Sequence, residues 1–410
     1  MLVSLWPLVS ALALLSLATA FVAYLCARRV LARRVPKDGP TPPVSILKPL
    51  KGVDDGLYLN LASFAQLDYP AYEVIFGAED AADPALEVAR RVQRDFPGAH
   101  ISVIQCRGQR GKNPKVRSLQ SLAAHARYRH WLISDSNVRV DASWLRDTAA
   151  ELGGNVALVT NPIAPLPSSE ESLGALFENI HLGAFVLGAI ALPRVLANRA
   201  CVIGKSMLLD SVALEAVGGF RSVRNLLAED YLLGRKFELA GYGVALSPHP
   251  VHTVNESWSL DRFCNRHIRW GQMRRRISLA AYLGEPLLNP TPLILLALAL
   301  RLGAVLSSDA PSGAIVQALG AGVGALGLKC ALDMSLLRTL RGAPLPLFDS
   351  AWIPFKDLLI AAIWPVAAVR RTLDWRGNPL RIGRASRLFA LEAGAINSAG
   401  QVGPVGQLGQ

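Results

Sequence analysis

The sequence is poor in charged residues and in cysteine, and each shortage argues against a class of protein. Only 18% of its 410 residues are charged, whereas 51% are apolar, and the mean hydropathy is +0.30. Ordinary soluble domains are less apolar, so this composition indicates segments that lie in a membrane. The five cysteines are scattered without a CxxC pair. This pattern argues against a disulfide framework or a structural zinc site and is typical of a catalytic domain in a reducing cytosol.

The charge that is present is unbalanced. Lys and Arg number 43 against 31 Asp and Glu, which gives a net charge of +12. Such an excess can bind nucleic acid, an anionic substrate or an anionic membrane surface. The basic residues flank apolar segments, and no finger, homeodomain or ribonucleoprotein motif is found in the sequence. We therefore expect a membrane surface as the partner and no nucleic acid.

The first apolar segment, residues 2–27, carries no charge and is long enough to span a bilayer as a helix. The alternative is a cleaved signal peptide, because residues 18–20 read Ala-Thr-Ala. We favour an uncleaved anchor, since no positive charge precedes the segment and the segment continues beyond this site. Four arginines follow within residues 28–34, so the positive-inside rule predicts that the downstream chain is cytoplasmic.

A basic linker rich in Pro and Gly, residues 28–42, leads into alternating strand and helix patterns. Strands are predicted at residues 44–47, 73–76, 101–105, 131–134 and 156–160, and helices at residues 57–66, 84–96, 114–127 and 143–151. The alternation predicts an α/β domain, residues 43–285, whose mostly parallel sheet is covered by helices. Ligands bind at the carboxyl ends of strands in such sheets, where Asp80 and Asp135 follow the second and fourth strands.

A second membrane region is predicted at residues 286–370, with apolar stretches at residues 292–306, 314–337 and 351–369. Charged residues within these stretches are costly in a spanning helix, so they indicate interior faces or shallow placement. The tail, residues 371–410, begins basic and should be cytoplasmic, which requires two crossings and one interfacial or re-entrant element. From residue 393 the chain is rich in Gly and Gln and is predicted to be disordered.

Four motifs can carry chemistry, and the first is Asp135-Ser136-Asn137 at the end of a predicted strand. A carboxylate followed two residues later by another oxygen ligand can hold Mg²⁺ or Mn²⁺. The ion would neutralise the diphosphate of a nucleotide. The alternative is a solvated turn, because Asp, Ser and Asn favour turns.

The second and third motifs lie at predicted helix starts. Asp230, in the pair Glu229-Asp230, can accept a proton from an attacking hydroxyl, although a helix cap is the alternative. Lys112 and Lys115 flank the start of the helix predicted at residues 114–127. A lysine beside a helix N-terminus can meet phosphate, and a capped loop is the alternative.

The fourth motif is the segment from Arg266 to Trp270. On a helix Arg266, Arg269 and Trp270 share one face. The two guanidinium groups can bind a diphosphate, and the indole can cover a sugar or an acceptor. The alternative is a basic helix that lies on anionic lipid.

In this order the motifs resemble those of the ceramide glucosyltransferase family, membrane-bound GT-A glycosyltransferases with an inverting mechanism, and the chain looks like a bacterial-type member. The resemblance covers residues 43–285 and is carried by LKPLKGVD (47–54), LDYPAYEV (67–74), NPK (113–115), DS (135–136), VRV (138–140), EDY (229–231) and IRW (268–270). The first of these motifs is the most specific.

The resemblance implies a GT-A, Rossmann-like fold with an N-terminal anchor and C-terminal membrane helices. It also implies a UDP-sugar donor, a lipid acceptor and a divalent metal, Mg²⁺ or Mn²⁺. By position it implies that Asp80 lies near the nucleotide, Asp135 binds metal and diphosphate, Lys115 lies on the donor side, Asp230 is the catalytic base, and Arg266, Arg269 and Trp270 form the terminal (Q/R)xxRW motif.

Two departures from the family pattern limit these assignments. Asn137 stands where relatives often have Asp or Gly, so only Asp135 is a firm metal candidate. The His-Pro motif of animal members does not occur in the apolar stretch at residues 183–193, which leaves the identity of the lipid open.

The expected reaction is transfer of a hexose, with glucose as the first candidate, from a UDP-sugar to the hydroxyl of ceramide or a ceramide-like lipid, with inversion. We expect it at the cytoplasmic face of a membrane, the inner membrane if the chain is bacterial. The alternatives are a hopanoid lipid N-acetylglucosaminyltransferase, a processive polysaccharide synthase and a non-catalytic membrane scaffold. The synthase would need more membrane spans, and the intact acidic motifs argue against the scaffold.

Overall fold

The computed structural model describes residues 2–36, 38–168, 170–308, 311, 313–375 and 378–391. Its strands are β1 Val44–Pro49, β2 Tyr72–Ala78, β3 Ile101–Gln105, β4 His130–Ser134, β5 Val138–Arg139, β6 Val156–Thr160, β7 Ile163–Pro165, β8 Ser206–Asp210, β9 Gly243–Leu246, β10 Val251–Thr253, β11 Thr372–Trp375, β12 Asn378–Ile382 and β13 Leu388–Ala390. They form a central seven-stranded sheet and two three-stranded sheets.

The helices surround the central sheet and continue into an apolar bundle. They are α1 Trp6–Leu31, α2 Leu57–Ala62, α3 Pro84–Asp95, α4 Pro114–Ala123, α5 Trp144–Ala149, α6 Leu173–Ile180, α7 Leu187–Ala197, α8 Ser211–Ala216, α9 Glu229–Leu239, α10 Leu260–Ile277, α11 Leu279–Gly284, α12 Thr291–Leu306, α13 Gly313–Arg341, α14 Leu347–Ser350 and α15 Ile353–Val369. A π-helical turn, His181–Val186, joins α6 to α7. Short 3₁₀ turns lie at Leu2–Leu5, Ser63–Ala65, Phe220–Ser222 and Glu285–Leu288, and a tight turn with left-handed residues lies at Arg384–Ser386.

The central sheet has the order β3-β2-β1-β4-β8-β6-β9. Its neighbouring strands pair in parallel except at β8, which is antiparallel to both β4 and β6. The mostly parallel sheet predicted from the sequence is therefore confirmed. Leu47 of β1 pairs with Ile75 of β2 and with Ile133 of β4, so the chain leaves these three strands at one edge of the sheet.

Helices cover both faces of this sheet because the strand residues are apolar on both sides. Ile46, Phe76 and Leu132 are fully buried in one layer, with α2 and α3. Their neighbours Leu47 and Ile133 are fully buried in the other layer, with α4 and α9. Central strands that are buried on both faces read as continuous apolar runs, which is the pattern that the sequence shows.

Four helical segments are long and apolar enough to cross a membrane in the part of the chain that the structure describes. They are Trp6–Leu31, Leu173–Ala197, Gly313–Arg341 and Leu347–Val369. A further pair, Leu279–Leu288 with Thr291–Leu306, is bent by 61°, as a broken span or a re-entrant loop would be. The segment Leu173–Ala197 was not predicted from the sequence. It is inserted between β7 and β8, within the α/β domain, and α1 packs against it.

Lys329, Lys356 and Asp357 of the C-terminal stretches are buried inside the helix bundle. Lys329 Nζ of α13 lies 2.7 Å from Asp357 Oδ2 of α15, and Thr291 Oγ1 of α12 donates to the same carboxylate oxygen at 2.6 Å. Lys329 also pairs with Asp333. Buried charges are tolerated when they are paired, so this network connects three helices inside the bundle.

The basic segment after residue 370 is folded, although no strands were predicted there. Strands β11, β12 and β13 form an antiparallel sheet that buries Leu373, Leu380, Ile382 and Leu388. The disorder predicted from residue 393 lies outside the described residues. The five cysteines are free thiols.

Candidate active site

A cavity of about 1430 Å³ opens at the edge of the sheet where β1, β2 and β4 end. It brings together every site residue predicted from the sequence: Asp80, Lys115, Asp135, Asp230, Arg266, Arg269 and Trp270 all line it. Asp80 lies at an exposed end of the cavity, where its side chain accepts a hydrogen bond from the Ala82 N–H at 2.9 Å.

Lys115 is the cation at the centre of the acidic residues. It lies in the first turn of α4, which Asn113 caps by accepting a hydrogen bond from the Val116 N–H. Lys115 Nζ lies 2.8 Å from Asp135 Oδ1 and 3.6 Å from Glu229 Oε1. Burial lowers the pKa of Lys115, but the neighbouring carboxylates raise it above its ordinary value, so the group stays charged.

Glu229 and Asp230 form an acidic pair at the start of α9. Asp230 Oδ2 accepts a hydrogen bond from the Gly204 N–H at 2.6 Å, and Oδ1 accepts one from the Tyr231 N–H at 2.7 Å. Burial raises the pKa of Asp230. Burial and the adjacent Asp230 raise the pKa of Glu229 to about 7. Carboxyl groups in such an environment can accept a proton near neutral pH. The residue at the N-cap position is Ala228, so neither acid serves as the helix cap.

Asp135 is positioned by the backbone that follows β4. Lys48 Nζ donates to the Asp135 carbonyl oxygen at 2.8 Å, and Ser136 Oγ donates to Asp54 Oδ2 at 2.5 Å. Asn137 points elsewhere, because its side-chain oxygen accepts a hydrogen bond from Lys205 Nζ at 2.6 Å. The two oxygen ligands expected from the Asp135-Ser136-Asn137 motif are therefore reduced to one carboxylate.

A single carboxylate is a sufficient protein ligand for some divalent ions. Among the described residues, no group of three or more His, Cys, Asp and Glu side chains could hold a metal ion. Mg²⁺ is commonly bound by one or two carboxylates together with substrate phosphates and water. The side chain of Asp135 is 32% exposed and lines the cavity, so this residue fits that mode of binding.

Helix α10 carries the Arg-Trp motif and begins at a cap in which Ser259 Oγ accepts a hydrogen bond from the Arg262 N–H. The Arg266 guanidinium lies 4.5 Å from the Trp270 ring and 5.2 Å from the Trp258 ring. Arg266 Nε also lies 3.2 Å from Glu178 Oε1. Arg266 is therefore held between two indoles and a carboxylate, which fixes its position at the cavity wall.

Two residues of the site were missed at the sequence level. Glu178, which orients Arg266, is completely buried in α6 and also contacts His267 Nε2 at 2.8 Å. An acid inside an apolar stretch is a signal that could have identified it. Lys205, in the loop before β8, is buried to 5% exposure and lines the cavity. No local sequence pattern indicates Lys205, because its surroundings come from distant segments.

The C-terminal sheet closes one side of the cavity. Leu373, Asp374 and Trp375 of β11 line it. Ser386 accepts two hydrogen bonds from the chain just before Glu229: its carbonyl oxygen accepts from the Leu227 N–H at 2.9 Å, and its Oγ accepts from the Ala228 N–H at 3.3 Å. Ser386 adopts a left-handed backbone with φ of 58°. Such a conformation is costly for a side-chain-bearing residue and is maintained by its surroundings.

Side chains of the candidate membrane-spanning helices (the membrane-type helices) also line the cavity, and most of them are apolar. Its lining includes Phe185, Val186, Ala189 and Ile190 from Leu173–Ala197, Thr19 from α1, and Leu287 and Leu288 near the bend before α12. One cavity therefore extends from the acidic residues at the sheet to side chains of the apolar helices.

Comparison with known proteins agrees with this architecture. The model of glycosyl transferase family 21 matches residues 8–388. Ceramide glucosyltransferase 3 of Caenorhabditis elegans is 27% identical over 365 residues, which cover 88% of this chain and 77% of the relative. Ceramide glucosyltransferase 1 of the same organism is 26% identical over 373 residues, which cover 87% and 75%.

A solved structure shares the fold. The mannosyltransferase PcManGT from Pyrobaculum calidifontis, in complex with GDP-Man and Mn²⁺, matches with a TM-score of 0.52 and 17% identity, covering 89% of this chain and 99% of that chain. The central sheet with its helices is therefore a GT-A fold, as the sequence predicted.

Proposed function

This chain belongs to glycosyl transferase family 21 and is a sugar-transferring enzyme, and on that premise we propose its substrates and the roles of its residues. It transfers a hexose, with glucose as the first candidate, from a UDP-sugar to the hydroxyl of ceramide or a ceramide-like lipid, with inversion. The observation that carries this proposal is the single cavity, which is lined both by acids and cations of the α/β fold and by an apolar wall from the membrane-type helices.

The donor occupies the part of the cavity that is lined by the acids and cations. Asp80 lies beside the nucleotide, while Lys115, Arg266 and Arg269 face the diphosphate and Trp270 covers the sugar. A divalent ion, Mg²⁺ or Mn²⁺, held by Asp135 and the diphosphate would neutralise charge on the leaving group. The structural relative with GDP-Man and Mn²⁺ supports a nucleotide sugar and a divalent ion, although its sequence identity is only 17%.

Asp230 is the general base. Its carboxylate is held by two backbone N–H groups, which keep it oriented toward the cavity. The acceptor hydroxyl transfers its proton to Asp230 as its oxygen bonds to the anomeric carbon. The bond from that carbon to the diphosphate oxygen breaks on the opposite face, and the nucleoside diphosphate leaves with the electron pair. An α-linked donor would therefore give a β-glycoside.

The acceptor occupies the part of the cavity that is lined by the apolar wall. Phe185, Ala189 and Ile190 form a wall without polar side chains, where a hydrocarbon can replace water. This wall also favours a second candidate acceptor, a hopanoid with N-acetylglucosamine as the sugar, because a rigid polycyclic lipid needs no polar partner along its ring system. The arginines at residues 28–34 support a cytoplasmic location for the catalytic domain.

The test is a transfer assay on membranes that contain this chain. UDP-glucose, UDP-galactose and UDP-N-acetylglucosamine are each offered with ceramide and with a hopanoid polyol, and lipid products are identified by mass spectrometry. We expect a hexosylceramide from UDP-glucose, with membranes lacking the chain as the control. An N-acetylhexosaminyl hopanoid would support the second candidate, and a protein that forms no lipid product from any pair would contradict both.

A further inference from the structure

Lys205 is a buried cation that has no role in the reaction described above. Its side chain lines the cavity, and its Nζ donates hydrogen bonds to Asn137 Oδ1 at 2.6 Å and to Thr253 Oγ1 at 3.1 Å. Both partners are neutral. Within the described ranges, none of the ion pairs includes Lys205, whereas Lys115 has two carboxylates within 3.6 Å.

A buried ammonium group without a counter-ion is costly, because it has lost its water and gained no carboxylate. Burial lowers the pKa of Lys205 to about 8, and the charge of Asp135 opposes this effect from a longer distance. A cation in this situation is stabilised when a ligand brings an anion into the cavity. Phosphate oxygens are the anionic groups that a nucleotide would supply.

The position of Lys205 agrees with such a ligand. The preceding residue, Gly204, donates its N–H to Asp230 and accepts a hydrogen bond from Lys115 Nζ at 2.8 Å through its carbonyl oxygen. Lys205 therefore follows directly on the backbone that holds the base and the central cation. It also lies close enough to Asp135 and Arg266 for their charges to affect it.

We propose that Lys205 binds the diphosphate of a nucleoside diphosphate and stabilises it as the leaving group. This inference rests on the proposed function. Asn137 has a matching role: its neutral amide orients the ammonium without neutralising it. A carboxylate at this position would form an ion pair with Lys205 and would compete with the ligand.

The experiment measures the binding of UDP and of uridine to the purified chain by calorimetry, in the presence of a metal chelator. Lys205→Met removes the charge while keeping the length of the side chain. Loss of a charge-assisted hydrogen bond predicts that UDP affinity falls about tenfold or more while uridine affinity is unchanged. Lys236→Met, on α9 outside the cavity lining, is the matched control and should bind UDP as the wild type does.

A second variant covers the case in which Lys205→Met fails to fold and loses uridine binding as well. Asn137→Asp keeps the lysine and neutralises it, so the preference for UDP over uridine should fall in this variant too. If a folded variant, Lys205→Met or Asn137→Asp, still prefers UDP over uridine as strongly as the wild type does, the proposed role of Lys205 is overturned. A wild-type chain that binds UDP no better than uridine when Mg²⁺ or Mn²⁺ replaces the chelator would instead contradict the proposed function.

Discussion

Replacing Lys115 with methionine should impair transfer through the charge state of the acids around it. Lys115 Nζ lies 2.8 Å from Asp135 and 3.6 Å from Glu229. At an effective dielectric constant of about 20, these distances correspond to gross attractions of about 6 and 5 kcal/mol. Desolvation offsets most of this energy and leaves about 1.5–3 kcal/mol for a lysine that contacts one buried and one partly exposed carboxylate.

The sign of the effect follows from the charges. The ammonium of Lys115 lowers the pKa of Glu229 and of Asp230, so its loss raises both and leaves more of each acid protonated at neutral pH. Each 1.4 kcal/mol corresponds to a factor of ten, so kcat at pH 7 should fall about tenfold to about a hundredfold. At higher pH the acids ionise again, and part of kcat should return.

The assay is the dependence of kcat on pH for Lys115→Met, with Lys112→Met as the matched control. Lys112 precedes the same helix but is exposed to solvent. The acid limb of the profile should move to higher pH for Lys115→Met and stay in place for Lys112→Met. A Lys115→Met profile that is lower at every pH but has the wild-type acid limb would refute the electrostatic reasoning.

Other predictions concern the acidic pair, the C-terminal sheet and the helix bundle. Glu229→Gln removes the acid of the pair that protonates first as the pH falls, so a step in kcat near pH 7 should disappear while the limb set by Asp230 at lower pH remains; a retained step near pH 7 would contradict the coupling of the pair. Ser386→Ala leaves the Ala228 N–H without its acceptor, which should lower the free energy of unfolding by about 1–2 kcal/mol and should lower both the melting temperature and kcat. Wild-type values for both would show that this contact is dispensable. Lys329→Met leaves Asp333 without its cation and leaves the buried Asp357 with Lys356 alone, so it should destabilise the detergent-solubilised chain by about 3 kcal/mol. The exposed Arg338→Met should not do so, and equal thermal unfolding of the two variants would contradict this account.

The parts of the fold that the sequence predicted are those with local signals. Strands β3 and β6 lie at the predicted residues, 101–105 and 156–160, because apolar β-branched runs between turn residues determine them locally. Asp80 and Asp135 were placed near each other by a rule of topology, since parallel strands end at one edge of a sheet.

The parts that could not be predicted depend on distant contacts. Helix segment Leu173–Ala197 contains Glu178 and His181, which interrupt its apolar pattern and make contacts with α10 in the folded chain. The C-terminal strands are short and lie in a segment rich in arginine, so the segment reads as a tail in the sequence. Its hydrogen bonds reach back to residues 225–228. Lys205 likewise meets Asn137 and Thr253 only in the folded chain.

The most direct test of the proposed mechanism is the kcat of Asp230→Asn in lipid glycosylation, measured together with its affinity for UDP. Asparagine keeps an oxygen that can accept the Gly204 N–H but cannot take the acceptor's proton. Asp147→Asn, outside the cavity lining, serves as the control. A general base contributes about 10²–10⁴ to the rate, so kcat should fall by at least about a hundredfold while UDP affinity stays at the wild-type value. A kcat within a few-fold of the wild type would remove Asp230 from the role of base.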